Sequence, residues 1–120
     1  MSVLTGHKDD LEVKRVSEEA AHNTMKRIVY SPVRNWDTHV MRIFTMGDGG
    51  RTKEHEHAWP HWVFVLEGKG NVTIAGERFP LERGSYVHVP GGLRHFFENT
   101  QAGGPEFEFM CIVPKEGDMF

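Results

Sequence analysis

Residues 61–90 read HWVFVLEGKGNVTIAGERFPLERGSYVHVP. Short runs rich in Val, Ile, Phe and Tyr alternate with EGKG, AGE and ERG, so the chain is cut by turn residues before any helical period can develop. The stretch reads as HWVFVLE (61–67), GNVTIAG (70–76), ERFPL (77–81) and SYVHVP (85–90), four strands joined by tight connections. The same rhythm continues on both sides. Upstream lie HVMRIFTM (39–46) and KEHEHA (53–58), and downstream RHFFENT (94–100) and FEFMCIVP (107–114), with GDGG, PGG and QAGGP as further turns. Many short strands at regular spacing predict an all-β sandwich or barrel.

Residues 1–37 form a leader to this pattern, ahead of a barrel expected over 38–120. In the leader, DLEVKRV (10–16) and MKRIVYS (25–31) are candidate strands, and Ser17 before Glu18 and Glu19 is a candidate start for one helical turn. Leading strands of a small β fold cover an open sheet edge, their own or a second subunit's. Exchange of this segment within a homodimer is therefore an expectation.

With 120 residues and 13.7 kDa, the chain is sized for a single domain that buries a core without covalent staples. Fourteen basic and 17 acidic side chains give a net charge of -3, and no run of Lys and Arg offers the clustered positive surface that phosphates require. Nucleic acid is not expected as a partner. The single cysteine, Cys111, rules out an intrachain disulfide and makes a reducing cytoplasm the default compartment. MSVLTGHKDDLEVKR has no apolar core of signal-peptide length, and the longest apolar runs, 62–66 and 109–113, fall far short of a membrane span.

The chemistry is concentrated in EHEHAWPHWVFVLEG (54–68), which places three of eight histidines within seven residues. On a strand, His55 and His57 would share a face while Glu56 points away. His61 follows the Ala58-Trp59-Pro60 break, and His95 opens the strand after the Pro-Gly-Gly turn. Together they suggest a four-nitrogen metal site; the bland alternative is a solvated histidine-rich strand. His7, His22, His39 and His88 are read as surface or hydrogen-bonded core residues. Glu54, Glu56 and Glu67 are read as solvent-facing, and Asn99 as the partner of a turn. By strand parity, Phe97 shares the inward face of His95, and Phe109 shares a face with Cys111. Arg42, a charge in the middle of VMRIFT, is a candidate for the same cavity, with an exposed ion-pair residue as its alternative.

These segments resemble the cupins. Gly49 to Gly68 follows the first cupin motif, a glycine, five residues, H-x-H, three residues, a ligand position, six residues and a glycine. Gly84 to Asn99 follows the second, G-x5-P-x-G-x2-H-x3-N, with 15 residues between Gly68 and Gly84. The one departure is His61, which stands where the family usually has glutamate. VMRIFT, HEHAWPHWVFVLEGKG and CIVPKEG further resemble small single-domain cupins that hold manganese with four histidines, some associated with oxidative cleavage of alkenes. The resemblance implies a jelly-roll β-barrel, the double-stranded β-helix, usually dimeric, with His55, His57, His61 and His95 as ligands. It also adds Thr52 and Trp59 near the pocket entrance.

Four neutral imidazoles leave a divalent ion its full charge, which strengthens it as a Lewis acid and favours anionic or carboxylate ligands. Imidazole suits Zn, Cu, Fe and Ni; manganese rests on the resemblance. The leading expectation is a metal-dependent oxygenase or oxidoreductase acting on a small organic molecule. A non-redox isomerase or lyase would need a general acid or base, for which Tyr86 and His88 are the candidates. A non-catalytic carrier or sensor of a small carboxylate is the third reading, since the fold serves all three.

Overall fold

A computed structural model describes residues 3–118. Nine strands follow in chain order: β1 (Lys14–Arg15), β2 (Ala21–Tyr30), β3 (His39–Thr52), β4 (His61–Glu67), β5 (Lys69–Ile74), β6 (Glu77–Glu82), β7 (Tyr86–Val89), β8 (His95–Asn99) and β9 (Phe107–Pro114). Single 3-10 turns occupy Lys8–Asp10 and Lys115–Gly117. The order across the sheet is β6-β5-β8-β3-β9-β4-β7, with β2 paired to β3 and β1 to β2. All strand pairings are antiparallel. The result is a nearly closed β-barrel.

β3 is the strand that closes it. Residues His39 to Met46 pair with β9 in the register Val40↔Val113 and Arg42↔Cys111, whereas Arg51 pairs with Glu98 of β8. The strand must turn a corner between these partners. Asn99 pins that corner: its Nδ2 donates to the carbonyls of Met46 and Gly47, each at 3.0 Å, while its Oδ1 accepts from the Gln101 N–H at 2.8 Å. The amide thus bonds a turn, as expected from sequence, and ties β8 to the bend of β3.

Alternation decides what lies inside. On β3, Val40, Arg42, Phe44 and Met46 are all buried, as are Phe107, Phe109, Cys111 and Val113 on β9. His61, Val63 and Val65 do the same on β4, and His95 and Phe97 on β8. Each fully buried valine or phenylalanine among these removes apolar surface worth about 1.5–3 kcal/mol. The polar members, Arg42, His61 and His95, share the face of the apolar ones, so parity alone delivers them to the interior.

The expected strand over 53–58 does not form. His55 makes an isolated bridge to His95, its N–H donating to the His95 carbonyl at 2.9 Å and its carbonyl accepting at 2.8 Å. Two physical reasons account for this. The alternating Glu and His residues supply no apolar face to hold a ladder, and the chain must double back before Pro60 so that the His57 carbonyl can accept the Gly92 N–H. Other boundaries also move: β3 runs on to Thr52 and β2 begins at Ala21. At Ser17 the chain makes one closed turn, with the Ala20 and Ala21 N–H groups donating to its carbonyl. β2 pairs with β3 of the same chain from Ala21↔Thr52 to Tyr30↔Met41. No helix among the described residues is long and apolar enough to cross a membrane.

Candidate metal centre

Two strands and one loop deliver the imidazoles to one cavity. His61 is the first residue of β4 and His95 the first of β8, and both face inward with 8% and 6% of their surface exposed. His55 and His57 come from the loop that replaces the expected strand. The His55–His95 bridge fixes the start of that loop, and the Pro-Gly-Gly turn fixes its end. Gly91 packs so closely on it that a Cβ there would collide with the Ala58 carbonyl oxygen. Any side chain at 91 would push the loop, and His57 with it, off the barrel.

One potential ligand atom from each of His57, His61 and His95 lies within 4.8 Å of the others, so these three form a cluster that could hold a metal ion. Their ring centroids are 5.6 Å (His57–His61), 5.5 Å (His57–His95) and 4.8 Å (His61–His95) apart. His55 lines the same cavity, with its ring stacked 5.3 Å from that of His57, but stands outside the tight cluster. The structure therefore brings all four predicted histidines to one place and three of them to within common reach of one ion.

The donor set suits such an ion. His95 Nδ1 donates to the Leu93 carbonyl at 3.0 Å, which leaves Nε2 as its free lone pair. His61 Nδ1 lies 3.4 Å from Cys111 Sγ, and its Nε2 is buried without a hydrogen-bond partner among the described residues. A buried nitrogen in that state costs free energy unless it gains a partner. Second partners of this kind orient ligating imidazoles in metal sites.

Protonation follows the same logic. Burial, reinforced by the nearby His95, His55 and Arg42, lowers His57 to a pKa of about 4. Burial with His95 and Arg42 close by takes His61 to about 3. Burial lowers His95 as well, against the opposing effect of the Leu93 carbonyl. The rings are held neutral at ordinary pH, the form in which imidazole binds a metal.

The cavity, about 30 Å³, is walled by Phe44, Phe97 and Phe109, with Arg42, Thr52 and Cys111 completing it. Arg42, 2% exposed, donates through Nη2 to Cys111 Sγ at 3.2 Å, and its guanidinium stands 4.9 Å from the Phe44 ring centroid. Burial raises the Cys111 pKa, which favours the thiol. Thr52 Oγ1 accepts the Phe97 N–H at 2.9 Å. Trp59 is placed differently: it stacks on His57, ring centroids 4.7 Å apart and planes 7° from parallel, and is not among the residues lining the cavity. Tyr86 is 81% exposed, and His88 is exposed too, stacked on Trp62 outside the barrel. Phe44 was absent from the sequence-based pocket; its position two residues after Arg42 on one strand was the signal for it.

Known proteins share this fold. The chain is 31% identical over 109 residues to the polyketide synthase CurC of Streptomyces cyaneus, covering 88% of this chain and 71% of that protein. Its fold matches the polyketide cyclase RemF of Streptomyces resistomycificus with a TM-score of 0.86 at 24% identity, over 95% of this chain and 80% of the other. A predicted oxalate decarboxylase of Thermotoga maritima matches with a TM-score of 0.82 at 16% identity, over 92% and 98% of the two chains. The family model for the cupin domain matches residues 42–113, which hold every histidine of the cluster. The chain belongs to the cupin-domain family.

Proposed function

We propose that His55, His57, His61 and His95 hold one divalent transition metal ion, manganese or iron, and that the protein is a metal-dependent oxygenase acting on a small, largely apolar organic substrate. When bound, the ion would supply a Lewis-acidic centre for substrate and dioxygen. The remaining work falls to the chain. Phe44, Phe97 and Phe109 exclude water and pack the substrate, and Arg42 offers the cavity its one permanent positive charge.

The observation that carries this reading is the composition of the wall. Among the residues lining the cavity there is no carboxylate, lysine or tyrosine, and the two candidate acid/base residues, Tyr86 and His88, lie outside the barrel. With the four imidazoles taken up by the ion, proton transfer would fall to the Cys111 thiol, whose pKa burial raises. Cleavage of a carbon–carbon double bond by dioxygen needs no such group and no external reductant, because both oxygen atoms end in the two carbonyl products. A cavity of about 30 Å³ also admits only one or two water-sized groups, so the bulk of any substrate must rest at its mouth. Dioxygen uptake by protein loaded with manganese or iron, measured with aryl alkenes and lost in His61→Ala, tests the proposal. Turnover at an undiminished rate without dioxygen would overturn it.

A second reading has its own support in the relative named a polyketide synthase and the structural neighbour named a polyketide cyclase. In that reading His55, His57, His61 and His95 would hold an ion that supplies Lewis acidity toward an enolisable carbonyl substrate, for a ring closure without redox change. Deuterium incorporation from solvent, in the absence of dioxygen, distinguishes it. We also propose that the protein acts as a homodimer, which sedimentation at micromolar concentration would decide.

A further inference from the structure

The turn Lys115–Gly117 and the residue after it reach the back of the imidazole cluster at two separate points. The segment is anchored by the Lys115 N–H, which donates to the Thr38 carbonyl at 3.0 Å. Gly117 is buried against the indole of Trp59. A Cβ at that position would stand 2.6 Å from Trp59 Nε1 and 2.7 Å from Cδ1, closer than real side chains approach. The same indole lies parallel to the His57 ring. Whatever shifts Trp59 therefore shifts the surface on which His57 rests.

The second point of contact is polar. Asp118 Oδ1 accepts from Lys26 Nζ at 2.7 Å and from Arg42 Nη1 at 3.3 Å. Because a guanidinium is a rigid planar fork, holding Nη1 fixes the direction of Nη2. That nitrogen points at Cys111 Sγ, 3.2 Å away, and the same sulfur lies 3.4 Å from His61 Nδ1. Carboxylate, guanidinium, sulfur and imidazole form one connected series, buried from Arg42 onward and part-exposed at Asp118. A buried guanidinium stripped of its anion is costly, so loss of Asp118 would drive Arg42 to reorient.

We propose that Lys115–Asp118 is a positioning element for the imidazole cluster, Gly117 acting on His57 through Trp59 and Asp118 acting on His61 through Arg42 and Cys111. Its effect on metal affinity rests on the metal-binding reading above; its effect on the rings does not. Neither residue touches substrate or ion.

Side-chain nitrogen NMR of the metal-free, full-length protein tests this. Gly117→Ala is expected to move the His57 ring signals and leave those of His61 in place, while Asp118→Ala moves His61 and leaves His57. Asp118→Glu restores the His61 signals toward those of the unmodified protein, and Asp118→Asn serves the same comparison if the alanine variant folds poorly. Amide signals of β6, which carries none of these residues, report whether the fold is kept. Ring signals that stay unmoved in both variants, or that move together in both, would overturn the proposal. Competition titration with cobalt(II) adds the consequence: affinity falls about 10-fold in each loss variant, the lower end of the range for partners behind metal ligands. If the unmodified protein takes up no cobalt, the metal reading fails by itself, and the pattern of ring signals still decides the positioning.

Discussion

Trp59 and His57 lie face to face, with ring centroids 4.7 Å apart and planes within 7° of parallel. His57 is the one member of the three-histidine cluster supplied by a loop, and it is more exposed than His61 and His95. Its ring lacks the packing that a strand position would provide, and the indole substitutes for it. Trp59→Ala is expected to lower metal affinity about 10-fold, as losses behind metal ligands do, whereas Trp59→Phe keeps most of it. Isothermal titration of zinc into the two variants checks the pair.

The four histidines should not be equivalent. One nitrogen from each of His57, His61 and His95 falls within a common 4.8 Å, and His55 lies outside that group. Alanine at any of the three is expected to abolish stoichiometric metal uptake, since it leaves two imidazoles of the tight cluster with only the more distant His55 beside them. His55→Ala is expected to retain metal with weakened affinity. Elemental analysis of each variant, purified without chelator or a nickel column, gives metal per chain directly. Equal loss in all four would show that His55 closes in on the ion when it binds.

Much of this was legible in the sequence because a β barrel has a simple parity. Phe97, Phe109 and Cys111 were given their faces by counting in twos, Arg42 was a candidate with an exposed ion-pair residue as its alternative, and the structure buries all four. Counting failed where no ladder exists: KEHEHA alternates like a strand, yet its polar faces and Pro60 leave only the bridge between His55 and His95. His55 and His57 reach the cavity by a loop anchored at both ends, which sequence periodicity cannot express. Asp118 was equally invisible. It lies 76 residues from Arg42 along the chain, and nothing in CIVPKEGD announces that its carboxylate will meet that guanidinium.

The metal-free protein should lose stability as the solution is acidified. The ordinary histidine pKa is 6.5, and the fold lowers His57 to about 4 and His61 to about 3. A lowered folded-state value means that the unfolded chain binds protons first, so stability is full above pH 6.5 and falls as pH drops toward 4 and then 3. Below about 3 these two rings contribute no further slope. Thermal unfolding of metal-free protein between pH 7.5 and 4 reads the effect, and a His61→Phe variant should show a shallower decline. Metal affinity falls over the same range, because protons and the ion compete for the same nitrogens.

Core and site should separate cleanly at Phe107. This ring is fully buried on the inward face of β9, packed 5.2 Å from Phe109 and against Gly70, yet it does not line the metal cavity. Phe107→Ala removes a large apolar group from a site closed in by β5 and β9, and Phe-to-Ala changes in such cores cost about 3–5 kcal/mol. The expected outcome is a lower denaturation midpoint in urea with an unchanged slope, since the extent of surface exposed on unfolding stays the same. Zinc affinity at low temperature, where the variant is still folded, should stay within about twofold of the unmodified protein, because Phe107 does not line the cavity and meets it through Phe109. A large loss of affinity together with the loss of stability would mean that Phe109, which touches both Phe107 and the cavity, transmits the defect into the site.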